Sequence, residues 1–211
     1  MPKSNPHPAK ITPQELQDLI YVSYQKKKPD ILSKYNLTPV QYTGVNPNEQ
    51  QVYLDQKGKP IVVFRGSSSK SLTDAWHDWG ISDVDLALGR EKYSPRFMRS
   101  QKLVEAVKKD YGKAPVTAIG HSLGGALAEF SNPTGHTITY NKGVGLGGIG
   151  KIIPSNQQDI RTAHDIVSAL SGTQTHTLPT ITVPKSEKIY NPITSHNPRQ
   201  LANLKMQQKK I

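Results

Sequence analysis

The chain has no cysteine among its 211 residues. That excludes disulfides, a thiol nucleophile and thiolate metal sites, and it fits several compartments. Long apolar runs are also missing: none approaches the run of about 18 residues that spans a bilayer. The start, Met1-Pro2-Lys3-Ser4-Asn5-Pro6-His7-Pro8, lacks the apolar stretch of a signal peptide. The expected location is therefore the cytoplasm, a virion, or a site reached by a non-classical route. Acid is scarce, with 16 Asp and Glu against 27 Lys and Arg, a formal charge of +11. A basic surface favours anionic partners such as a phospholipid membrane surface, and it also serves plain solubility. The clearest clusters are Lys26-Lys27-Lys28 and the tail Lys205 to Lys210. No aromatic residues interleave with them, so specific nucleic-acid binding is not expected.

Length suits one α/β domain, and a hydrophobic fraction of 35% suffices for one core. Residues 1–11 are Pro-rich and polar and read as a flexible arm, 12–204 as one domain, and 205–211 as a basic tail. Thr12-Pro13-Gln14-Glu15 predicts a helix start with Thr12 as cap, Pro13 at the first position and Glu15 closing a capping box. Leu16, Leu19 and Ile20 line one face of that helix to about Tyr24. Gln51–Asp55 and Pro60–Phe64 predict two strands joined by a turn at 56–59. Ser94-Pro95 predicts another capped helix, with a stripe of Phe97, Leu103, Val104, Val107 and Tyr111 that ends at Gly112. A strand over Pro115–Ile119, a helix to about Phe130 and strands at His136–Tyr140 and Ile160–Ala163 follow. Thr175–Val183 reads as an extra hairpin, and a last helix starts near Asn197. Strands alternating with helices imply a mainly parallel central sheet with helices on its faces. The glycines from Gly143 to Gly150 match neither a P-loop nor a dinucleotide fingerprint, and read as a loop at the sheet's edge.

Gly120-His121-Ser122-Leu123-Gly124 follows a strand-like run and precedes the small, helix-compatible Gly125-Ala126-Leu127-Ala128. That context makes it a nucleophile elbow, the sharp turn that lifts a serine hydroxyl out of a sheet. Side chains at Gly120 or Gly124 are expected to collide with the adjoining strand or helix. His121 reads as a packing residue behind the serine.

A serine needs a histidine to take its proton, and that histidine needs a carboxylate to hold its tautomer. In the α/β-hydrolase order the acid and then the histidine follow the serine. After Ser122 the only acids are Glu129, Asp159, Asp165 and Glu187. Glu129 lies in the elbow helix, and Glu187 sits between lysines in a surface loop. Asp159 precedes its strand, so it falls at the opposite edge, whereas Asp165 ends the strand at the edge where such folds place their sites. Of the later histidines, His176 reads as a surface residue and His196 lies on a loop able to reach the serine, so His196 is preferred. His164, beside Asp165, reads as structural. The oxyanion needs two donors. One is the backbone N–H of Leu123, and the second comes from the segment Phe64-Arg65-Gly66-Ser67-Ser68-Ser69.

Three blocks now stand in order: Val62-Val63-Phe64-Arg65-Gly66-Ser67, the elbow through Ala128, and Arg161 through Ser168, followed by His196. In these the chain resembles the class 3 lipases, fungal lipase-like α/β-hydrolases, and looks like the compact versions found in bacteria or large DNA viruses. The resemblance implies an α/β-hydrolase fold, a Ser122–Asp165–His196 triad and Ser67 as the oxyanion serine, with no cofactor and no metal. The family carries a Trp and then an Asp that supports the oxyanion residue; Trp76, Asp78, Trp79 and Asp83 all compete here, with Asp78 or Asp83 as the support. The stretch Lys70–Tyr93 matches the family's lid and reads either as a small amphipathic flap or as an ordinary packed loop. The implied activity is hydrolysis of carboxylic esters of lipids, of triacylglycerol lipase or phospholipase type. The alternatives are an acyltransferase or amidase on the same triad, and an inactive basic binding protein of hydrolase fold.

Overall fold

The computed structural model describes residues 8–25, 31–67, 89–112, 114–163, 165, 167–183 and 196. Residues 70–88 of the lid stretch, with Trp76, Asp78, Trp79 and Asp83, lie outside the described residues, as do Lys26–Lys28, His164, Glu187, the helix expected after Asn197 and the basic tail.

The first helix, α1 (Pro13–Ser23), begins as its sequence dictates. Thr12 Oγ1 accepts from the Glu15 amide at 3.2 Å, and Glu15 reaches back to the Thr12 amide. Leu16, Leu19 and Ile20 are buried on one side. A single turn, α2 (Ile31–Lys34), leads into β1 (Thr38–Val40), β2 (Gln50–Leu54) and β3 (Pro60–Phe64). Helix α3 (Pro95–Tyr111) packs beside α4 (Leu123–Ser131), which follows β4 (Thr117–His121). Then come β5 (His136–Tyr140), the short β6 (Ile152–Ile153), β7 (Gln157–Thr162), β8 (Thr175–His176) and β9 (Ile181–Val183).

Seven strands form one sheet in the order β1-β2-β3-β4-β5-β7-β9. The first two pairings are antiparallel and the four from β3 to β9 are parallel. The expected mainly parallel sheet with helices on both faces is thus present. Strand periodicity separates two cores. Ile61, Val63, Ile119, Ile138 and Ile160 face α1, while Val62, Phe64 and Ala118 face α3 and α4. Phe97, Val104, Val107 and Leu127 close the second core, each fully buried. The crossovers β3–α3–β4 and β4–α4–β5 step the same way along the sheet, so crossovers of one hand put both helices on one face.

Several expectations need correcting. Ala9 and Ile11 are buried in the α1 core, so packed chain begins inside the expected flexible arm. Ser94 precedes α3 but makes no side-chain cap; its Oγ is buried without a partner among the described residues. Pro95, whose fixed φ suits a first helical position, starts that helix without it. The elbow strand runs two residues later than expected, because parallel pairing with β5 continues to His121 opposite Tyr140. Thr175–Val183 is not a hairpin. Thr175–His176 pairs with β6 in a separate two-stranded sheet, and Ile181–Val183 extends the main sheet beside β7.

Candidate active site

Ser122 sits between β4 and α4 with φ +60° and ψ −130°, a left-handed backbone that a non-glycine residue adopts only at a cost. Local hydrogen bonds hold it there. Its amide donates to the Tyr140 carbonyl at 3.1 Å, and its carbonyl accepts from the amides of Gly125 and Gly143. The two flanking glycines are obligatory by distance. A Cβ on Gly120 would stand 1.9 Å from the Gly124 carbonyl oxygen, and one on Gly124 would stand 2.2 Å from the Phe64 carbonyl oxygen. The turn therefore brings helix α4 against its own strand and against β3 at once.

Asp165 lies just past β7, at the carboxyl end of the parallel strands where Ser122 also emerges. One carboxylate oxygen accepts from the Ser168 amide at 2.6 Å. The other accepts from His196 Nδ1 at 2.7 Å. Both side chains are buried, at 0% and 2% exposure. With Nδ1 committed as the donor to Asp165, Nε2 is the basic nitrogen of a neutral His196. That atom is buried and has no hydrogen-bond partner among the described residues.

His121, the residue before Ser122, joins the serine to this pair. Its Nε2 lies 2.8 Å from the main-chain oxygen of His196, and the two rings are 4.7 Å apart. Its Nδ1 lies 2.9 Å from Tyr24 Oη. Burial first, and then the neighbouring His196, hold the His121 pKa well below the ordinary histidine value. Burial likewise pushes the Tyr24 hydroxyl up to about 12, so it keeps its proton.

The segment after β3 runs against the nucleophile. A Cβ on Gly66 would fall 2.6 Å from Tyr24 Oη and 3.0 Å from Ser122 Cβ, so only glycine fits beside the elbow. The Gly66 amide donates to Tyr24 Oη at 3.0 Å, and Arg96 Nη2 donates to the Arg65 carbonyl at 2.7 Å. Ser67 follows directly. Leu123 is the first residue of α4, where an amide has no intrahelical acceptor.

Among the described residues, the four acid and histidine candidates pair two and two. Asp165 meets His196. Asp159 does not precede its strand as expected but lies within β7, and His176 is not a surface residue: its Nε2 is 2.8 Å from Asp159 Oδ2. Asp159 also bonds Lys142 Nζ at 2.7 Å and Thr139 Oγ1, while Glu129 binds Lys142, Lys151 and Gln157. This buried ionic cluster stitches α4, β5 and β7 together. Sequence reasoning missed Tyr24 and Arg96. Tyr24 caps the end of α1 and Arg96 lies in the first turn of α3, and the apolar stripes of those helices give no hint of a polar partner in the loop after β3. The one available signal was that a buried histidine beside the serine needs two partners.

No protein-family model matches the chain, and no curated protein matches it. Among solved structures it is similar to fungal lipases. The native Rhizomucor miehei lipase propeptide complex is 14% identical over 87% of this chain and 76% of that one, with a TM-score of 0.48. The nonglycosylated Yarrowia lipolytica LIP2 lipase is 14% identical over 92% and 87%, also with a TM-score of 0.48. A further fungal lipase structure is 16% identical over 88% and 86%, with a TM-score of 0.46.

Proposed function

We propose that this chain is a serine hydrolase of carboxylic esters, with lipid esters as its substrate class. One observation carries the reading. A strained serine at a strand-to-helix turn shares a sheet edge with a buried Asp165–His196 pair whose Nε2 is unspent. A serine held at φ +60° stores backbone strain of the kind that clusters at functional sites, and a buried basic nitrogen without a donor is costly unless it has a chemical task.

In this reading Ser122 Oγ attacks the ester carbonyl carbon as its proton passes to His196 Nε2. The carbonyl π electrons move to oxygen, and the amides of Leu123 and Ser67 hold that oxyanion. Asp165 keeps Nδ1 protonated and stabilises the imidazolium. Collapse breaks the bond to the leaving alcohol, which takes the Nε2 proton, and an acyl-Ser122 ester remains. Water repeats the sequence with His196 as base, releasing the acid and restoring the serine. The approach of Oγ to Nε2 is made when substrate is bound, as catalytic hydrogen bonds commonly tighten in the Michaelis complex. The excess of basic residues adds a preference for anionic surfaces, which makes phospholipids a substrate candidate within this class.

The test is turnover on a panel of esters of graded acyl length and on phospholipid, with Ser122→Ala as the comparison. Loss of the serine is expected to cost on the order of a million-fold in kcat. Undiminished turnover by Ser122→Ala rules the mechanism out.

A further inference from the structure

Asp165 fixes the ring of His196, but something must also fix its backbone. The main-chain oxygen of His196 is held by His121 Nε2 at 2.8 Å. A carbonyl can only accept, so His121 Nε2 carries a proton. In a neutral ring Nδ1 is then an acceptor, and Tyr24 Oη, 2.9 Å away, is placed to donate to it. Tyr24 Oη in turn accepts the amide proton of Gly66 at 3.0 Å. Every direction in this chain is forced by the group at its end: Gly66 N–H to Tyr24 Oη, Tyr24 Oη–H to His121 Nδ1, His121 Nε2–H to His196 C=O.

The two ends of the relay are informative. One is the backbone of the proposed base, and the other is the residue before Ser67, the proposed oxyanion donor. The middle is the residue before the nucleophile. Packing reinforces it. The His121 ring lies 5.5 Å from the Tyr140 ring and 5.7 Å, edge-on, from the Tyr24 ring. The neutral state of His121 also matters for charge. His196 becomes cationic during the proposed reaction, and its ring is 4.7 Å from His121. A second cation there would oppose proton transfer, whereas a neutral ring that donates to the His196 carbonyl does not.

We propose that His121 and Tyr24 are positioning residues that set His196 and the Gly66–Ser67 amides in register around Ser122 through one hydrogen-bonded relay. The proposal rests on the triad reading above. It goes beyond that reading in assigning the geometry of base and oxyanion hole to a single shared device, so that loosening either end displaces both.

The test compares Tyr24→Phe, His121→Leu and His121→Gln with the unaltered chain and with Ser122→Ala. Active sites are counted by titration with a fluorophosphonate, so that turnover is given per competent serine. Tyr24→Phe keeps the ring and deletes only the relay hydroxyl. It is expected to lower kcat roughly 10- to 100-fold, the scale of a misplacement of about 1 Å, with KM unchanged. Affinity for an alkyl boronic acid, which forms a tetrahedral adduct on the serine, is expected to fall by the same factor. His121→Gln, whose amide N–H can still reach the His196 carbonyl, is expected to recover much of the kcat lost in His121→Leu. Should His121→Leu fail to fold, Tyr24→Phe and His121→Gln carry the test. Unchanged kcat and boronate affinity in Tyr24→Phe, alongside an inactive Ser122→Ala, overturn the relay and leave the triad standing. A rise in KM alone overturns it equally. An active Ser122→Ala overturns the triad reading, and the relay with it.

Discussion

Asp165 and His196, 31 residues apart in sequence, meet through a 2.7 Å hydrogen bond between two buried side chains. The other oxygen of Asp165 is taken by the Ser168 amide, so the carboxylate cannot rotate away from the ring. The first prediction follows directly. Asp165→Asn keeps the shape but presents an amide that can donate to Nδ1 and so favours the wrong tautomer. On the proposed mechanism kcat should drop by about 10⁴-fold with little change in KM. Steady-state kinetics on a short soluble ester check this, and a loss below tenfold would remove Asp165 from the proposed role.

The glycines of the elbow make a stability prediction independent of catalysis. The clash of a Cβ at Gly124 is with backbone of β3, and that at Gly120 is with backbone of α4. Both clashes are with main-chain atoms, which no side-chain rotation can move aside. Gly124→Ala and Gly120→Ala are each expected to destabilise by more than about 3 kcal/mol, in the severe tail of single substitutions. Denaturant melts read the loss, and a shift under about 1 kcal/mol would show that the helix can retreat from the sheet.

His121 sets part of the acid sensitivity of the fold. Its folded pKa is depressed, chiefly by burial, whereas the unfolded chain takes up a proton near pH 6.5. Below that pH the unfolded state binds more protons, so stability falls with pH, at up to about 1.4 kcal/mol per pH unit for this one group. Above pH 6.5 the contribution is constant. His121→Gln should therefore flatten unfolding free energy against pH between 6.5 and 5, though the partly buried His136, also depressed, leaves some slope. A profile as steep as that of the unaltered chain would show that His121 is not the group responsible.

The ionic cluster gives a fourth prediction. Burial by itself would raise the pKa of Asp159, but the hydrogen bond from His176 and the charge and hydrogen bond of Lys142 outweigh it and hold the carboxyl well below the usual range. Lys142 is only 3% exposed and serves both Glu129 and Asp159. Lys142→Met leaves the buried Asp159 with only His176 and the partly buried Glu129 with only Lys151 as charged partners, at an expected cost of about 3 kcal/mol at pH 7. Those carboxylates then favour protonation in the folded state, so the deficit should shrink as pH falls toward 5. A deficit that stays constant over pH 7 to 5 in denaturant melts would speak against uncompensated charge as its cause.

Salt separates the phospholipid proposal from a neutral-ester one. If basic residues draw the protein to anionic vesicles, hydrolysis of phosphatidylglycerol vesicles should fall several-fold from 0.05 to 0.5 M NaCl, as the screening length drops well below about 10 Å. Turnover of a soluble short ester should not fall with it. Equal salt response of the two substrates would count against surface attraction.

Much of the frame was legible because local physics and the final fold agree. The Thr12–Glu15 capping box, the Phe97–Val107 stripe and the Gly120–Gly124 elbow are short-range patterns that carry their own steric or hydrogen-bonding reasons. The errors fell where pairing partners lie far off in sequence. Thr175–Val183 has the composition of a hairpin, but its two halves pair with β6 and β7 instead, because those strands offer parallel edges nearby. His176 looked like a surface residue because nothing local reveals that Asp159 faces it.

The sequence by itself determined that a serine would stand on a strained turn between a buried strand and a small-residue helix, since glycine at two fixed positions leaves the chain few other courses. It also narrowed the later acids and histidines to four. Only the tertiary structure decided how those four pair, and that the backbone of His196 is tied through His121 and Tyr24 to Gly66. The physical reason is that hydrogen-bond partners across a sheet edge are chosen by strand order and helix placement, which depend on the whole buried core and not on any local run of residues.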